Sequence, residues 1–259
     1  MDFPDLLATK PYDLGQPYFP GMPHFPSHPP FLYSLTKRHG DILYADGAAS
    51  AADAIALGTH VGTHIDALSH FSCNGVCYGG RTIEHTYERG MAELGVETIQ
   101  PIVRRAVLLD IASLEGVEIL PADFEITPQH LARASKAEIR EGDIVLIRTG
   151  WAQLFLDAKR YINNVTAPGP SIDGAKWLSS QKIFAAGSDT VAFERTPNPA
   201  MPVHVHLLVE SGIHIIEVLN LEQLARNRVH EFVFIAAPMN IRGATGAPIR
   251  PLAFAINNA

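Results

Sequence analysis

A chain of 259 residues, 47% hydrophobic and 18% charged, has the composition of a globular protein and is long enough to bury one large core. Its net charge of -7 provides no basic stripe to neutralise a phosphate backbone, so nucleic acid is excluded as an expected partner. No apolar run reaches the roughly 18 to 20 residues that span a bilayer, and the opening Met1-Asp2-Phe3-Pro4-Asp5 lacks a signal-type pattern. No membrane association and a cytoplasmic location are therefore expected.

Residues 1–30 are rich in Pro and aromatics, with Tyr18-Phe19-Pro20-Gly21-Met22-Pro23-His24-Phe25-Pro26 reading as extended or turn structure. Such an arm either packs as a terminal segment or lies across a pocket or a neighbouring subunit, presenting Tyr18, Phe19 and Phe25 as apolar walls. Strands are predicted over 31–38 and 54–66, with turns around Gly40-Asp41 and Asp46-Gly47 between them. The two cysteines, Cys73 and Cys77, flank Asn74-Gly75 and read as small buried thiols beside a turn, since no second Cys or His pair at metal-finger spacing follows.

The run at 105–112 is almost continuously apolar, as in a strand covered on both faces. Thr127 as N-cap and Pro128 at the first helical position start a helix that carries Leu131, Ala134 and Ile139 and should stop at Gly142. A buried strand follows at 143–148, a helix at 170–178 and a strand at 183–186. A short helix around 203–210, a strand at 213–217, a helix at 221–226 and a strand at 231–237 complete the alternation. This predicts a single α/β domain over 1–259, with a mixed, largely buried sheet flanked by helices and residues 1–30 as an arm.

The unusual composition is in the histidines, twelve in all, and in where three of them fall. Gly58-Thr-His60-Val-Gly-Thr-His64-Ile-Asp66-Ala-Leu-Ser-His70 holds three imidazoles and a carboxylate at positions of one parity, which share a face if the chain is extended. Gly58, Gly62 and the alternating β-branched residues argue against helix. Four such groups on one buried face would cost ~1 to 3 kcal/mol each if unpartnered, and a bound cation removes that cost. Imidazole and carboxylate ligands suit Zn or Mn, and three protein ligands leave a position open for water. His24, His39, His85, His130, His214 and His230 read as structural.

His60-Val-Gly-Thr-His-Ile-Asp-Ala-Leu-Ser-His70 resembles the signature of the metal-dependent cyclase-like hydrolases, a family that includes bacterial kynurenine formamidases and isatin hydrolases. Their pattern is His-x-Gly-Thr-His-x-Asp-x-Pro-x-His, and this chain departs from it only at Leu68, where Pro is usual. The resemblance extends to Pro20-Gly21-Met22-Pro23, Thr149-Gly150-Trp151, Gly187-Ser188-Asp189-Thr190, His204 with Leu207-Leu208, Glu217 and Gly243-Ala-Thr-Gly246-Ala-Pro248.

The resemblance implies a swivelling β/β/α fold, one or two divalent ions per chain (Zn or Mn) and a homodimer or homotetramer. It implies that His60, His64 and Asp66 bind a first metal, that Asp66 bridges to a second held by His204 and Glu217, and that His70 is the acid/base. The spacing from His204 to Glu217 is one residue longer than usual, so His206 is a rival, and the His-x-x-Leu-Leu register favours His204. The expected activity is opening of the amide C–N bond of a small cyclic or aryl substrate by metal-activated water. Alternatives are a lactonase or cyclase/dehydratase with the same metal, or a non-catalytic metal- or ligand-binding protein. The chain carries no Gly-x-Ser-x-Gly elbow, P-loop or dinucleotide fingerprint.

Overall fold

The apolar runs of the second half pair side by side. In the computed structural model, which describes residues 9–82 and 84–256, Ile102–Asp110, Ile144–Arg148, Ala185–Ser188 and His214–Glu217 run parallel through the middle of a nine-stranded sheet. Antiparallel strands complete it. Glu231–Ala236, Leu252–Ala255 and Tyr12–Asp13 extend one edge, and His64–Asp66 and Gly246–Pro248 extend the other. The expected α/β class, with a mixed and largely buried sheet flanked by helices, is the observed one.

Both faces of the sheet are covered because successive residues of its central strands point to opposite sides. Leu108, Leu146 and Ile216 pack with Phe232, Phe234 and Leu224 on one face. Leu109, Ile147 and Ile215 pack with Leu131, Leu178 and Leu207 on the other. Each such side chain contributes about 1.5–3 kcal/mol through burial. The parallel strands all end on one edge of the sheet, at Asp110, Arg148, Ser188 and Glu217, where ligand sites of such sheets form.

Several predicted boundaries move. The Thr127-capped helix covers only Pro128–Ala134, because Ser135 leaves helical geometry and its hydroxyl donates to Ala137 O. The helix at 170–178 has Ser171 as its cap and spans Ile172–Ser180. The segment at 203–210 begins as Pro202–His204 and widens into a π-helix over Val205–Glu210. The predicted strand over 54–66 is two pieces. Ala52–Ala56 pairs with Leu32–Lys37 in an exposed ribbon, the chain turns through Gly62 at φ +68°, and only His64–Asp66 joins the large sheet. The one-face argument for 60, 64, 66 and 70 is therefore corrected, since the stretch does not run extended from 60 to 70.

Of the two cysteines expected to be buried, Cys77 is and Cys73 is exposed; Asn74 and Gly75 form the turn between them, with Cys73 bridging Val76. The N-terminal arm builds a third core, in which Met22, Phe31 and Val61 pack with Trp151, Phe155 and Tyr161, against partly buried Tyr18, Phe19 and Phe25. Among the described residues no helix is long and apolar enough to cross a membrane.

Candidate metal centre

The site is assembled by strand register. Glu217, the last residue of its parallel strand, pairs with His64 across an antiparallel ladder, and Gly246 pairs with Asp66 from the other side. Directly opposed residues project from the same face, which brings His64 Nε2 to 3.4 Å from Glu217 Oε2 and 3.4 Å from Asp66 Oδ1. A Cβ on Gly246 would lie 2.5 Å from His60 Cε1, so glycine there makes room for the His60 ring.

Around this pair the remaining residues close in. His60 Nδ1 meets Asp66 Oδ1 at 2.7 Å, and its Nε2 meets Thr245 Oγ1 at 2.8 Å. The His70 ring stacks on His60 at 3.8 Å between centroids and 23° between planes. His204 arrives from the helix that begins at Pro202, with Nε2 3.2 Å from Glu217 Oε1. Its rival His206 bonds instead to Ser179 Oγ at 2.8 Å and Glu210 Oε2 at 2.7 Å. All six residues named from the sequence thus lie in one contact network. Two sets, His60 with Asp66 and His70, and His64 with Asp66 and Glu217, offer ligand atoms within 4.8 Å of one another, with Asp66 common to both.

The hydrogen-bond roles of the imidazoles test whether a cation fits. His64 Nδ1 lies 2.8 Å from Gly62 O, and a carbonyl only accepts, so Nδ1 carries the proton. A neutral His64 then aims the lone pair of Nε2 at two carboxylate oxygens, a repulsive arrangement unless a positive charge lies between them, either a metal ion or, without one, a second proton on Nε2. His204 repeats it, with Nδ1 2.8 Å from Glu194 Oε1 and Nε2 toward Glu217. His64 Nε2 and Asp66 Oδ2 are buried and have no hydrogen-bond partner. Neutral imidazole nitrogens and carboxylate oxygens converging in this way are the donor set of a Zn or Mn site.

Protons respond to the same field. Burial opposes a charge on His64, but the contacts with Asp66 and Glu217 overcome it and raise its pKa to about 10. Burial likewise opposes His204, and Glu194 and Glu217 raise it to about 10. Asp66 is held well below the usual carboxylate range, against burial, by His70, His60 and His64. Burial, with the neighbouring His60 and His204, pushes His70 down to about 3 despite Asp66 and Glu217.

Four supporting residues were not assigned a role from the sequence. Thr245 holds His60, and it lies within Gly243-Ala-Thr-Gly246, so the motif contained the signal without its meaning. His28, from the N-terminal arm, has its ring 5.4 Å from His60. His214, read as structural, donates from Nδ1 to Asp66 O at 2.9 Å. Glu194 carries no local sequence signal at all. Leu68, at the departure from the family pattern, is partly buried against the core on the sheet's second face.

Residues 12–195 match the family described as "Putative cyclase", a span that includes His60 to His70 and Glu194. The chain is 26% identical to an isatin hydrolase of Roseibium aggregatum over 219 residues, 81% of this chain and 76% of the relative. It is 26% identical to a kynurenine formamidase of Bacillus thuringiensis subsp. konkukian over 199 residues, 76% of each. A crystal structure described as a novel cyclase superimposes with a TM-score of 0.87 at 28% identity, covering 98% of this chain and 92% of that one.

Proposed function

The chain belongs to the "Putative cyclase" family, and from that premise and the site geometry we propose that it is a metal-dependent hydrolase opening the C–N bond of a small cyclic or aryl amide. The observation that carries the proposal is the orientation of His64 and His204, whose Nε2 atoms face buried carboxylates with Nδ1 already committed. The relatives support the bond class, since one is an isatin hydrolase and another a kynurenine formamidase.

His60, His64 and Asp66 would hold a first divalent ion, Zn or Mn, and Asp66, His204 and Glu217 a second. Such an ion polarises a carbonyl and lowers the pKa of water from 15.7 to roughly 7. The chain's own residues orient and move protons. Thr245 and Asp66 orient the His60 ring at its two nitrogens, an ion held by His60 would take the place of one of these contacts, and His214 fixes the Asp66 backbone. His70, stacked on His60 beside the ligands and kept neutral by burial, is the ring with a basic nitrogen available to take a proton from water and return it to the leaving nitrogen. Phe25 and His28, 5.7 Å apart at the His60 side of the site, supply an aromatic wall for an aryl group.

The protein works as a homodimer or homotetramer. Tyr33, Leu35, Leu43 and Ile55, all exposed on and beside the Leu32–Lys37/Ala52–Ala56 ribbon, favour association, because a two-stranded ribbon is marginal alone. A panel of isatin-like lactams, N-formyl arylamines, imides and lactones, assayed with added Zn or Mn, tests the reaction. Turnover of a lactam or formamide is expected. Turnover of lactones alone would transfer the site to ester chemistry, and no turnover by metal-loaded protein would leave a binding protein.

A further inference from the structure

His204 is gripped from two sides. Its Nε2 faces Glu217, and its Nδ1 faces Glu194, whose Oε1 also accepts the His204 backbone N–H at 3.0 Å. Glu194 is fully buried, and its Oε2 has no hydrogen-bond partner. A carboxylate in such a place is costly unless it makes charge-assisted bonds, and its two visible bonds both go to His204. The fold is arranged to admit it. The segment carrying Glu194 crosses Gly169 so closely that a Cβ there would overlap Arg195 N and the Glu194 carbonyl carbon.

The two bonds have different consequences. The backbone bond satisfies a donor in the first turn of the helix at Pro202–His204, where no residue four positions earlier supplies a helical acceptor. The ring bond decides chemistry. A neutral imidazole has one N–H and one lone pair, and these exchange places by tautomerism or ring rotation unless a neighbour selects one form. A carboxylate at Nδ1 selects the N–H there and leaves the lone pair on Nε2.

We propose that Glu194 is a positioning residue that locks the ring of His204, presenting the Nε2 lone pair to the Glu217 side of the site and to a cation held there. The part that concerns a cation rests on the metal-centre reading above, and the part that concerns the ring does not. Glu194 touches no reacting group in this account and acts only through His204.

The test compares Glu194→Gln, which keeps an acceptor oxygen for both His204 donors, with Glu194→Leu, which keeps none. Two measurements are made on the full chain: zinc(II) affinity by chelator competition, and the 15N shifts of the His204 ring, read in metal-free protein at a pH above the ring's titration, where it is neutral, and in zinc-loaded protein. Glu194→Leu should weaken zinc binding about 10- to 100-fold, the usual effect of losing the partner that orients a metal-bound histidine. It should also lose the exclusive Nδ1–H form. Glu194→Gln should keep that form and most of the affinity, a rescue that bulk packing would not produce.

The proposal is overturned if Glu194→Leu matches wild type in both measurements, or if Glu194→Gln is as impaired as Glu194→Leu. Should Glu194→Leu not fold, the wild-type spectrum decides, because a neutral His204 ring that carries its proton at Nε2 contradicts the proposal without any variant. Failure of wild-type protein to take up zinc would remove the metal-centre reading while leaving the ring measurement to judge Glu194.

Discussion

Gly246→Ala is the smallest change that reaches the centre of the site. Its Cβ would stand 2.5 Å from His60 Cε1, 3.0 Å from His60 Nδ1 and 2.9 Å from Ile65 O. Carbon atoms pack at about 3.5 Å, so something must retreat by about 1 Å. The Ile65 carbonyl belongs to a strand paired on both sides, and the His60 ring is the part free to yield. A retreat of that size stretches the 2.7 Å contact with Asp66 or the 2.8 Å contact with Thr245 past hydrogen-bonding range. Misplacement of a site group by about 1 Å typically costs on the order of 100-fold in rate, equivalent to about 2.7 kcal/mol. Turnover of an N-formyl arylamine and zinc affinity by chelator competition should both fall, and thermal stability should fall with them, since Ile65 O, 2.9 Å from the new Cβ, belongs to a strand that cannot retreat freely. Wild-type turnover and wild-type zinc affinity in Gly246→Ala would refute the packing argument and the place given to His60.

His70→Ala should retain zinc and lose about 10²- to 10⁴-fold in turnover, because it removes a proton carrier rather than a ligand; metal analysis and kcat check both halves. Glu222→Ala should cost about 3–5 kcal/mol in denaturant unfolding, because it strips the bidentate partner, at 2.8 and 3.0 Å, from buried Arg148. A loss under about 1 kcal/mol would mean that Asp110, 2.9 Å from the same guanidinium, suffices alone. Asp189 supplies a pH dependence away from the ligands. Burial, against the donors of Thr149 and the charge of Arg148, raises its pKa from 3.8 to about 6, so the folded state holds that proton more tightly than the unfolded chain. Its contribution is present below about pH 4 and is lost as pH rises through 6, a change of about 3 kcal/mol at most. Unfolding curves of wild type and Asp189→Asn between pH 4 and 7 should differ by that slope, and parallel curves would contradict it.

The four central strands were legible because their apolar runs are long and two-sided, and the helix starts because Thr127-Pro128 and Ser171 are chemical punctuation. Helix ends were less so. Nothing in the composition of 135–141 marks the exit at Ser135, which depends on local side-chain bonding. The His60 to His70 stretch named residues that do gather in one place while giving the wrong local geometry. Parity suggested an extended face, but Gly62 turns the chain, and His60 and His70 return to Asp66 through loops. Glu217 and His204 were reached through resemblance, and the register that opposes Glu217 to His64 is a tertiary fact that no local pattern encodes. Glu194 illustrates the remainder. A single acidic residue between Phe193 and Arg195 is unremarkable until the fold closes His204 over it.

The central claim is that His64, Asp66, His204 and Glu217 are arranged for a divalent ion that hydrolysis requires. Metal analysis of purified wild type and His64→Ala, with amide turnover measured before and after chelation and after adding Zn or Mn back, tests it most directly. The account predicts a stoichiometric divalent ion in wild type, its loss in His64→Ala, and turnover that disappears with the ion and returns with it. Wild-type protein without a stoichiometric ion, or turnover indifferent to chelation, would contradict it.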